Sequence, residues 1–552
     1  TILGQDISAF KIISTEEDRG AASTLRDYIA KATGVTPECI REHSGESYPY
    51  EIVVGVCNTR SPQSVVDRRA KLGDEGYMIY AEENRLYISG ATMRGTYYAV
   101  ISFLEDYIGC RFFTEDCEVV LPAASLEIPA GTDEFFVPKL FYRAEYADFC
   151  NNNRYAPKHK LNAYLSGNLD GYGGGVSYAA GAFVHTFRQL AEMKEYKVGD
   201  QPCLTDPAVY ETVLKNVRAW LDSNRNATII SVSPNDSYTN QAGCQCANCK
   251  ALDDQYGSPM GSLLTFVNRI ARDISEDYPQ VYVETLAYHY TQTPPVGLVA
   301  EDNVLIRLCP SACCMVHGIA GCERGDTFRA DLTAWSKICK NLSIWHYSVN
   351  FGNYLLPLPN LFSIYDDVQL YLQNGVVSIF DEAAYNSRTG EFEELRSYLF
   401  SKLMWNPDMT REEYERHMNE FLQYYYGDGW EYIRRYIDAT YTEIAGVAHF
   451  NHAANAETVY PVEKSDDSFA FLSAMYGLFE KAEAAATTPE EATRIRKSSV
   501  QALYLWLYRM DRSAPEDMKE KLAALIKEAH IAMSSEGRVV PAKLPVRKPV
   551  RL

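Results

Sequence analysis

The feature that most constrains the fold is an alternation of strand-like and helix-like segments between residues 140 and 405. Eight short apolar segments are separated, in most cases, by amphipathic segments such as 208–221 and 262–275. A repeated strand–helix order favours a parallel sheet, and eight units in about 265 residues match a (β/α)₈ (TIM) barrel in number and size. We therefore predict this barrel, with a doubly wound open sheet as the structural alternative. The predicted strands are residues 140–148, 161–167, 202–205, 228–236, 281–290, 304–310, 342–348 and 376–382.

The segments on either side of this region have a different character. A helical pattern at 21–32, a strand at 51–56 and a hairpin around Glu83-Asn84 predict a small α/β sandwich. Pro and Gly in residues 121–139 predict a linker after it, and only helical patterns follow the barrel. The fold class is thus α/β with three domains. These are the sandwich (1–135), the barrel (136–408) and an all-helical region (409–552).

Composition argues against nucleic acid and membranes as partners. Acidic residues outnumber basic residues by 73 to 53, and the resulting net charge of −20 argues against binding nucleic acid or an anionic membrane. No apolar run approaches the ~18 residues of a membrane helix, so we expect no membrane insertion.

Forty Tyr and six Trp favour a site that stacks on sugars or peptides, although such rings serve equally well as core and surface residues. The oligomeric state is left open.

Polar pairs stand where two of the predicted strands end. The fourth strand ends in Asn235-Asp236 and the eighth in Asp381-Glu382. Parallel strands of a barrel end at one mouth, and two groups flanking a glycosidic bond supply the acid and the nucleophile or base of glycoside hydrolysis. Asn235, Asp236, Asp381 and Glu382 are therefore the candidate catalytic residues. A helix cap or turn at Asp236, and a helix N-terminal pair at Asp381-Glu382, are the structural alternatives.

Other side chains at or near strand ends are candidates for substrate binding. Large aromatic rings stack on pyranose faces, and His, Asn and Arg side chains hydrogen-bond sugar hydroxyls. Glu284 lies in the middle of a strand and is expected to be a buried structural carboxylate, and His185 is equally plausible as a structural histidine. The candidate substrate-binding residues are Arg143, Asn168, His185, Tyr288, His289, Trp345, His346 and Tyr347.

Three cysteines after the fourth strand have the spacing of metal ligands. Cys244, Cys246 and Cys249 form a C-x-C-x₂-C motif that is compatible with structural zinc. A fourth ligand would have to come from elsewhere, and the group Cys313, Cys314, His317 and Cys322 offers one. A disulfide and free thiols are the alternatives. Catalysis itself is expected to need no cofactor.

Motifs along nearly the whole chain resemble known families. Residues 86–113 (LYISGATMRGTYYAVISFLEDYIGCRFF) resemble the N-terminal domain shared by α-glucuronidases and family 20-type hexosaminidases. Later motifs resemble the bacterial domain of unknown function 4838, which is similar to glycoside hydrolase family 163, a family of endo-β-N-acetylglucosaminidases acting on complex N-glycans. These motifs include FVHTF, LTDPAV, SVSPND, CQCANCKALDD, TLAYHYTQTPP, NLSIWHYSVNF and LMWNPD.

The resemblance implies a barrel glycosidase that cleaves a β-N-acetylglucosaminide linkage of an N-glycan or related carbohydrate. In related acetamido-sugar hydrolases the reaction is retaining and substrate-assisted. Asn235 would then orient the 2-acetamido group, and Asp236 would protonate the leaving oxygen, with its pKa raised by burial among aromatic rings. The resemblance also implies a secreted, cell-surface or periplasmic bacterial protein. A cytoplasmic location is the alternative, since no leader is recognised in this chain.

Two departures from the family pattern leave other functions open. Trp345-His346-Tyr347 stands where the pattern has Trp-Asp-Tyr, and Phe380-Asp381-Glu382-Ala383 stands where it has Phe-Glu-Gln-Gly. One alternative is a different glycosidase, such as an inverting uronidase that pairs Asp236 with Asp381 or Glu382. The other is a glycan-binding protein without catalytic activity.

Overall fold

The computed structural model describes most of the chain and divides into two compact units. The first unit comprises residues 1–141 and 150–175, and the second comprises residues 142–149 and 176–552. None of the described helices combines the length and apolar character that crossing a membrane requires. The described residues are 1–43, 46–121, 127–150, 152–163, 165, 167–195, 197, 200–236, 243–446, 448–454, 466–510 and 514–541.

The first unit is a mixed sheet with helices. Its strands are β1 (Lys11–Ser14), β2 (Glu38–Arg41), β3 (Glu51–Val54), β4 (Tyr77–Glu82), β5 (Arg85–Gly90), β6 (Cys110–Thr114), β7 (Cys117–Val120) and β8 (Asp133–Phe136). Its helices are α1 (Arg19–Thr33), α2 (Gln63–Arg69) and α3 (Met93–Phe103). Six strands form one sheet in the order β2-β1-β3-β5-β4-β8, and β6 pairs with β7.

Local predictions for this unit are confirmed except at its end. The hairpin at Glu83-Asn84 is present, because β4 and β5 pair antiparallel on either side of it. The helix predicted at 21–32 is α1, which ends at Gly34 in the left-handed conformation. The predicted linker 121–139 is wrong for its second half, since β8 pairs with β4. Pro129 and Gly131 make only a short turn before that strand, and residues 122–126 lie outside the described residues.

The second unit contains a six-stranded parallel sheet. Its strands are β9 (Tyr142–Glu145), β10 (Ile229–Ser231), β11 (Tyr282–Ala287), β12 (Val304–Leu308), β13 (Asn341–Tyr347) and β14 (Val376–Glu382). They pair in the order β10-β11-β12-β13-β14-β9, and every pair is parallel. This order is the one expected for predicted strands four to eight followed by the first.

Helices follow most of these strands, as the alternation predicted. The helix α5 illustrates why they form: Asp206 caps its N-terminus by accepting a hydrogen bond from the Ala208 N–H, and Pro207 occupies the first turn. The helices of this part are α4 (Phe187–Leu190), α5 (Pro207–Ser223), α6 (Ala247–Tyr256), α7 (Met260–Ile274), α8 (Gly318–Gly321), α9 (Asp326–Trp335), α10 (Ser363–Gln373) and α11 (Glu393–Trp405).

Two predicted strands are not part of the sheet. Residues 202–205 end in a turn, because Cys203 joins a group of cysteines and Asp206 already caps α5. Residues 161–163 belong to the first unit, and positions 164 and 166 lie outside the described residues. Tyr178 instead makes a parallel bridge with Ile229 of β10. The described residues thus form a half-barrel parallel sheet, and its closure into eight strands stays a prediction.

The C-terminal part is helical, as predicted, apart from a short hairpin. Thr410 and Glu413 form a capping box at the start of its first helix. The helices are α12 (Arg411–Tyr426), α13 (Trp430–Ala445), α14 (Asp466–Ala485), α15 (Pro489–Ser498), α16 (Val500–Met510) and α17 (Glu516–Glu528), and the hairpin consists of β15 (Met533–Ser535) and β16 (Arg538–Val539). The division into three domains at 135 and 408 stays a prediction.

Candidate functional site

A cavity of about 400 Å³ lies at the C-terminal ends of the strands of the second unit. We call it the strand-end cavity. Aromatic rings form much of its wall, contributed by Tyr146, Phe183, Tyr288, Trp345, Tyr347, Phe351 and Tyr385. Three carboxylates, Asp236, Glu382 and Glu536, and two imidazoles, His185 and His452, also line it. A concave aromatic site with a few convergent polar groups is typical of a ligand-binding pocket.

Strand register decides which predicted residues reach this cavity. Trp345 is paired with Phe380 and Tyr347 with Glu382, whereas His346 is paired with Asp381. Successive side chains of a strand point to opposite faces, so the first two pairs share one face and the third pair lies on the other. Trp345, Tyr347 and Glu382 line the cavity accordingly.

Glu382 is a cavity-lining carboxylate whose surroundings differ strongly from water. It is half-buried at the end of β14, and its Oε2 accepts a hydrogen bond of 2.8 Å from Trp345 Nε1. Burial raises the pKa of Glu382 to about 8; the Trp345 hydrogen bond opposes this shift, and the charges of Glu536, Asp381 and Asp236 add to it. Glu382 is therefore mostly protonated at neutral pH and can donate a proton inside the cavity.

Asp236 is the more open carboxylate. Its side chain is 32% exposed, and Oδ1 lies 3.9 Å from His185 Nε2. The other ring nitrogen of His185, Nδ1, is 2.8 Å from the carbonyl oxygen of Pro234, to which it must donate, since a carbonyl only accepts. The charge of Asp236 reaches Glu382 and Tyr347. The structure thus places His185, Asp236 and Glu382 around the same cavity, and their roles stay a prediction.

His289 lies beside this group without lining the cavity. Its ring contacts that of Tyr288, with a centroid distance of 3.8 Å and an interplanar angle of 50°. Burial lowers the pKa of His289, and the charge of Asp236 opposes that shift. His185 and His289 have φ angles of 55° and 50°, a left-handed backbone that is uncommon outside glycine and that concentrates at functional sites.

Asn235 does not face the cavity. Its amide oxygen accepts the Arg188 backbone N–H at 2.8 Å, and its amide nitrogen donates to the Asp200 carbonyl at 2.8 Å. The residue is buried, and both ends of its amide are engaged within the protein. This geometry gives no support to the prediction that Asn235 orients a substrate acetamide, because its amide joins the segments of Arg188 and Asp200.

Three more candidates face the helices behind the sheet. His346 Nδ1 lies 2.9 Å from the Tyr371 hydroxyl on α10, and the Arg143 guanidinium lies 5.2 Å from the Trp405 ring centroid on α11. Asp381 is fully buried and accepts a hydrogen bond from the Ser348 hydroxyl. Their predicted roles at the substrate are not supported, because each lies on the strand face opposite the cavity.

Asp381 forms a buried acid pair with Glu145 on β9. The two residues are register partners, and Glu145 Oε1 accepts a hydrogen bond of 2.8 Å from the Ser397 hydroxyl on α11. Burial raises the pKa of both carboxyls, and the charge of Asp381 adds to the shift of Glu145. The pair is thus expected to share a proton, so that both carboxyls can remain buried.

Asn168 is also placed elsewhere. It belongs to the first compact unit, is exposed, and accepts the Asp170 backbone N–H at 2.8 Å through its side-chain oxygen. This contact is a local turn of the kind that Asn side chains commonly stabilise. The prediction of substrate binding by Asn168 has no support in this geometry.

A buried ion pair lies inside the sheet and was only partly expected. Arg307 on β12 is 2.6 Å from Glu284 on β11, and both side chains are fully buried. The Tyr178 hydroxyl donates to Glu284 at 2.6 Å and also contacts Arg307. Glu284 is thus the structural carboxylate predicted from its mid-strand position. Arg307 was missed, although an arginine within the apolar run VLIRL needs a buried partner.

Residues from the C-terminal part also line the cavity, and no pattern in the sequence predicted them as site residues. His452 stacks on Tyr347 with a centroid distance of 4.6 Å and an angle of 14°. Glu536 Oε1 accepts a hydrogen bond of 3.0 Å from the Tyr385 hydroxyl. Tyr385 in turn stacks on Tyr146 at 5.0 Å with nearly parallel rings. These contacts give the cavity a flat aromatic wall of the kind that suits a sugar ring.

The three predicted metal-ligating cysteines meet a fourth, and it is not one of the expected residues. The sulfurs of Cys203, Cys244, Cys246 and Cys249 all lie within 4.8 Å of one another. Cys203 Sγ is 3.6 Å from Cys246 Sγ and 3.9 Å from Cys249 Sγ. The group around Cys314 forms a separate cluster, so the suggestion that it completes this site is wrong.

Comparisons with known proteins are consistent with this architecture. Residues 112–438 match the family described as "Domain of unknown function (DUF4838)", and residues 7–105 match "Glycosyl hydrolase family 20, domain 2". No curated protein matches the chain. The resemblances to the domain of unknown function 4838 and to a family 20-type N-terminal domain are thereby confirmed. The link of that N-terminal domain to α-glucuronidases and the similarity to glycoside hydrolase family 163 stay predictions.

Solved structures with a related fold include glycosidases. A family GH115 4-O-methyl-α-glucuronidase with specificity for decorated arabinogalactans is similar with a TM-score of 0.62 and 12% identity, covering 99% of this chain and 82% of that chain. A GH138 enzyme targeting pectin rhamnogalacturonan II has a TM-score of 0.44 and 9% identity, with 96% and 76% covered. At such identities the first likeness shows the fold alone, and the second carries no argument. The match over residues 112–438 spans more than half of the chain, which therefore belongs to the DUF4838 family.

Proposed function

We propose that this chain is a glycoside hydrolase whose active site is the strand-end cavity and whose general acid is Glu382. The observation that carries the proposal is the position of Glu382, which lines an aromatic cavity together with Asp236 and has its pKa raised to about 8 by desolvation. Two carboxyl groups in different environments are what glycosidic bond cleavage needs, one protonated and one ionised. The fold likeness to a GH115 glucuronidase is consistent with this reaction class.

The roles of the two carboxyl groups follow from their surroundings. Glu382 transfers its proton to the leaving glycosidic oxygen as the bond to the anomeric carbon breaks. Asp236, as a carboxylate, accepts the N–H of a 2-acetamido group, whose oxygen attacks the anomeric carbon. This assignment exchanges the role that the family resemblance gave to Asp236, because the amide of Asn235 is engaged with Arg188 and Asp200. The reaction remains retaining and substrate-assisted.

The charge of the cavity favours a neutral sugar. The described residues that line it include three carboxylates and two histidines but no lysine or arginine. A uronate would face Asp236 and Glu536 without a cationic partner, which costs free energy in a partly buried site. A β-N-acetylglucosaminide of an N-glycan or related carbohydrate carries no such charge and presents faces that stack on Tyr146 and Trp345. We therefore place this substrate ahead of a uronide.

An inverting reaction with the same pair is the alternative. Asp236 would then act as a general base on water, with Glu382 still the acid. The two reactions differ in the first product formed from a β-linked substrate, which is the β-anomer for retention and the α-anomer for inversion. Time-resolved NMR of the released sugar separates them, and an initial α-anomer would exclude substrate assistance.

Product release from a glycan panel tests the proposed function. The full chain is incubated with complex-type N-glycoproteins and simple β-N-acetylglucosaminides, and products are detected by mass spectrometry. Wild type should release glycan, Glu382→Gln and Asp236→Asn should not, and the matched control Asp381→Asn should. The proposal fails if wild type releases nothing from any substrate, or if Glu382→Gln releases glycan at the wild-type rate.

A structural zinc ion at Cys203, Cys244, Cys246 and Cys249 completes the proposal. Four sulfurs around a Zn²⁺ ion with Zn–S bonds of about 2.3 Å are about 3.8 Å apart, and the Cys203–Cys246 and Cys203–Cys249 separations of 3.6 and 3.9 Å fit this value. The ion would fix Cys244 at one end of the segment that follows Asp236. All four positions are occupied by thiolates, so the ion would have no open position for catalysis.

A further inference from the structure

We propose that a second zinc ion binds Cys314, His317, Cys322 and His449. One ligand atom from each of these residues lies within 4.8 Å of the others. Three of them come from the segment after β12, and His449 comes from the segment after α13. We call these four residues the Cys₂His₂ cluster. Nothing in the glycosidase mechanism uses them.

The distances within the Cys₂His₂ cluster fit one tetrahedral ion. Cys314 Sγ is 3.3 Å from His317 Nδ1, and Cys322 Sγ is 3.2 Å from His449 Nδ1. With Zn–S of about 2.3 Å and Zn–N of about 2.0 Å, tetrahedral geometry separates adjacent ligand atoms by about 3.3–3.8 Å. The centroids of the His317 and His449 imidazole rings lie 4.4 Å apart, and a ring nitrogen of each lies within 4.8 Å of the other ligand atoms.

The chemistry of the donor set favours a structural ion. Two thiolates and two imidazoles are a common closed ligand set of structural zinc, with no position left for water or substrate. Both sulfurs are buried, with exposures of 1% for Cys314 and 3% for Cys322. A disulfide between the two cysteines would account for the sulfurs but not for two imidazoles directed at them. The neighbouring Cys313 is equally buried and stands outside the cluster, which makes it a matched control.

The ion would hold a wall of the strand-end cavity in place. His449 is followed closely by His452, which stacks on Tyr347 in that wall. Two hydrogen bonds already join this segment to the one after β12: Arg324 donates to the His449 carbonyl at 3.0 Å, and the Met315 N–H donates to the Phe450 carbonyl at 2.9 Å. A zinc ion bound by residues of both segments would add a cross-link between them at the same place. Only this consequence rests on the proposed function; the metal site does not.

Metal analysis of the full chain tests the site directly. The protein is purified without chelators, and its zinc content is measured by inductively coupled plasma mass spectrometry. We expect two zinc ions per chain, one for each of the two clusters. The double variant Cys314→Ser/Cys322→Ser should lose one ion, whereas Cys313→Ser should keep both. Unchanged zinc content in the double variant would overturn the proposal, as would a Cys314–Cys322 disulfide found by peptide mapping of the wild type.

A spectroscopic measurement keeps the test decisive if the double variant does not fold. In Cys246→Ser/Cys249→Ser the Cys₂His₂ cluster is the remaining site, and this variant is loaded with Co²⁺. Visible absorption typical of tetrahedral Co²⁺ supports the site. Because the cluster has two thiolates, its sulfur-to-cobalt charge-transfer band should have about half the intensity expected for four thiolates. An octahedral spectrum, or none, contradicts it. Neither measurement uses a glycan, so failure of the glycosidase proposal would leave the result unchanged.

Discussion

The two faces of β14 show what a buried carboxylate can and cannot do. Glu382 and Asp381 are adjacent; Asp381 is fully buried and Glu382 is half-buried, and removal from water raises the pKa of each. Glu382 faces a cavity that can admit a ligand, whereas Asp381 is sealed against Glu145 and Ser348 behind the sheet. A raised pKa is therefore not by itself a sign of catalysis; access to the cavity distinguishes the two residues.

The largest predicted effect separates the two carboxylates by activity. Glu382→Gln removes the proton that the leaving group needs, and we expect kcat/KM on the hydrolysed glycan to fall by about 10²–10⁴-fold. Asp381→Asn keeps an acceptor for Ser348 and gains a donor for Glu145, so its kcat/KM should stay near that of wild type. Equal losses of kcat/KM in the two variants would contradict the assignment of different roles to the two faces of β14.

The next largest effect distinguishes Asp381 from Glu382 by its contribution to the stability of the fold. Asp381→Ala leaves the Glu145 carboxyl without its partner at a buried position, and we expect the free energy of unfolding to fall by about 1–3 kcal/mol. Activity per folded molecule should change little. Urea denaturation followed by circular dichroism measures the loss, with Asp381→Asn as the milder control. An unchanged midpoint for Asp381→Ala would show that the acid pair contributes nothing to stability.

The sequence located the strand ends but not the direction of their side chains. Strands β13 and β14 are buried on both faces, as parallel strands between layers usually are, so their apolar pattern does not reveal which face is inward. A shift of one residue exchanges Asp381 for Glu382 and His346 for Tyr347. The prediction that both members of each pair reach the substrate therefore named too many residues.

Long-range partners were the other part that the sequence could not supply. Cys203, His452 and Glu536 lie far along the chain from the residues that they meet, and no local spacing links them. Asn235 was misassigned for a related reason: the groups that engage its amide, at Arg188 and Asp200, come from an earlier segment. The apolar alternation, by contrast, is a local property: of the eight strands that it predicted, six are found in a parallel sheet and in the expected order.

A smaller effect concerns the hydrogen bond to Glu382. Trp345 Nε1–H stabilises the carboxylate form, so Trp345→Phe should raise the pKa of Glu382 further. We expect the alkaline limb of kcat/KM to move to higher pH by up to about one unit, equivalent to about 1.4 kcal/mol. Tyr347→Phe, which leaves that bond intact, is the control. A shift to lower pH would contradict the assignment of Glu382 as the acid.

The smallest effect is expected at the edge of the cavity. Tyr385→Phe removes the hydroxyl that donates to Glu536 but keeps the ring that stacks on Tyr146. Loss of one partly exposed hydrogen bond costs about 0.5–1.5 kcal/mol, so KM should rise by no more than about tenfold while kcat is retained. Steady-state kinetics measure this, and a fall in kcat without a change in KM would show that the hydroxyl acts in the chemical step.

The pH dependence of wild-type kcat/KM is the sharpest test of Glu382 as the general acid. Only the protonated form of Glu382 can donate to the leaving oxygen, so activity should be present below its raised pKa and be lost as the pH rises through about 8. We predict an alkaline limb near pH 8 on a glycan that the enzyme hydrolyses. A rate that stays constant to well above this pH, or that already falls near the ordinary carboxyl pKa of about 4, would contradict it.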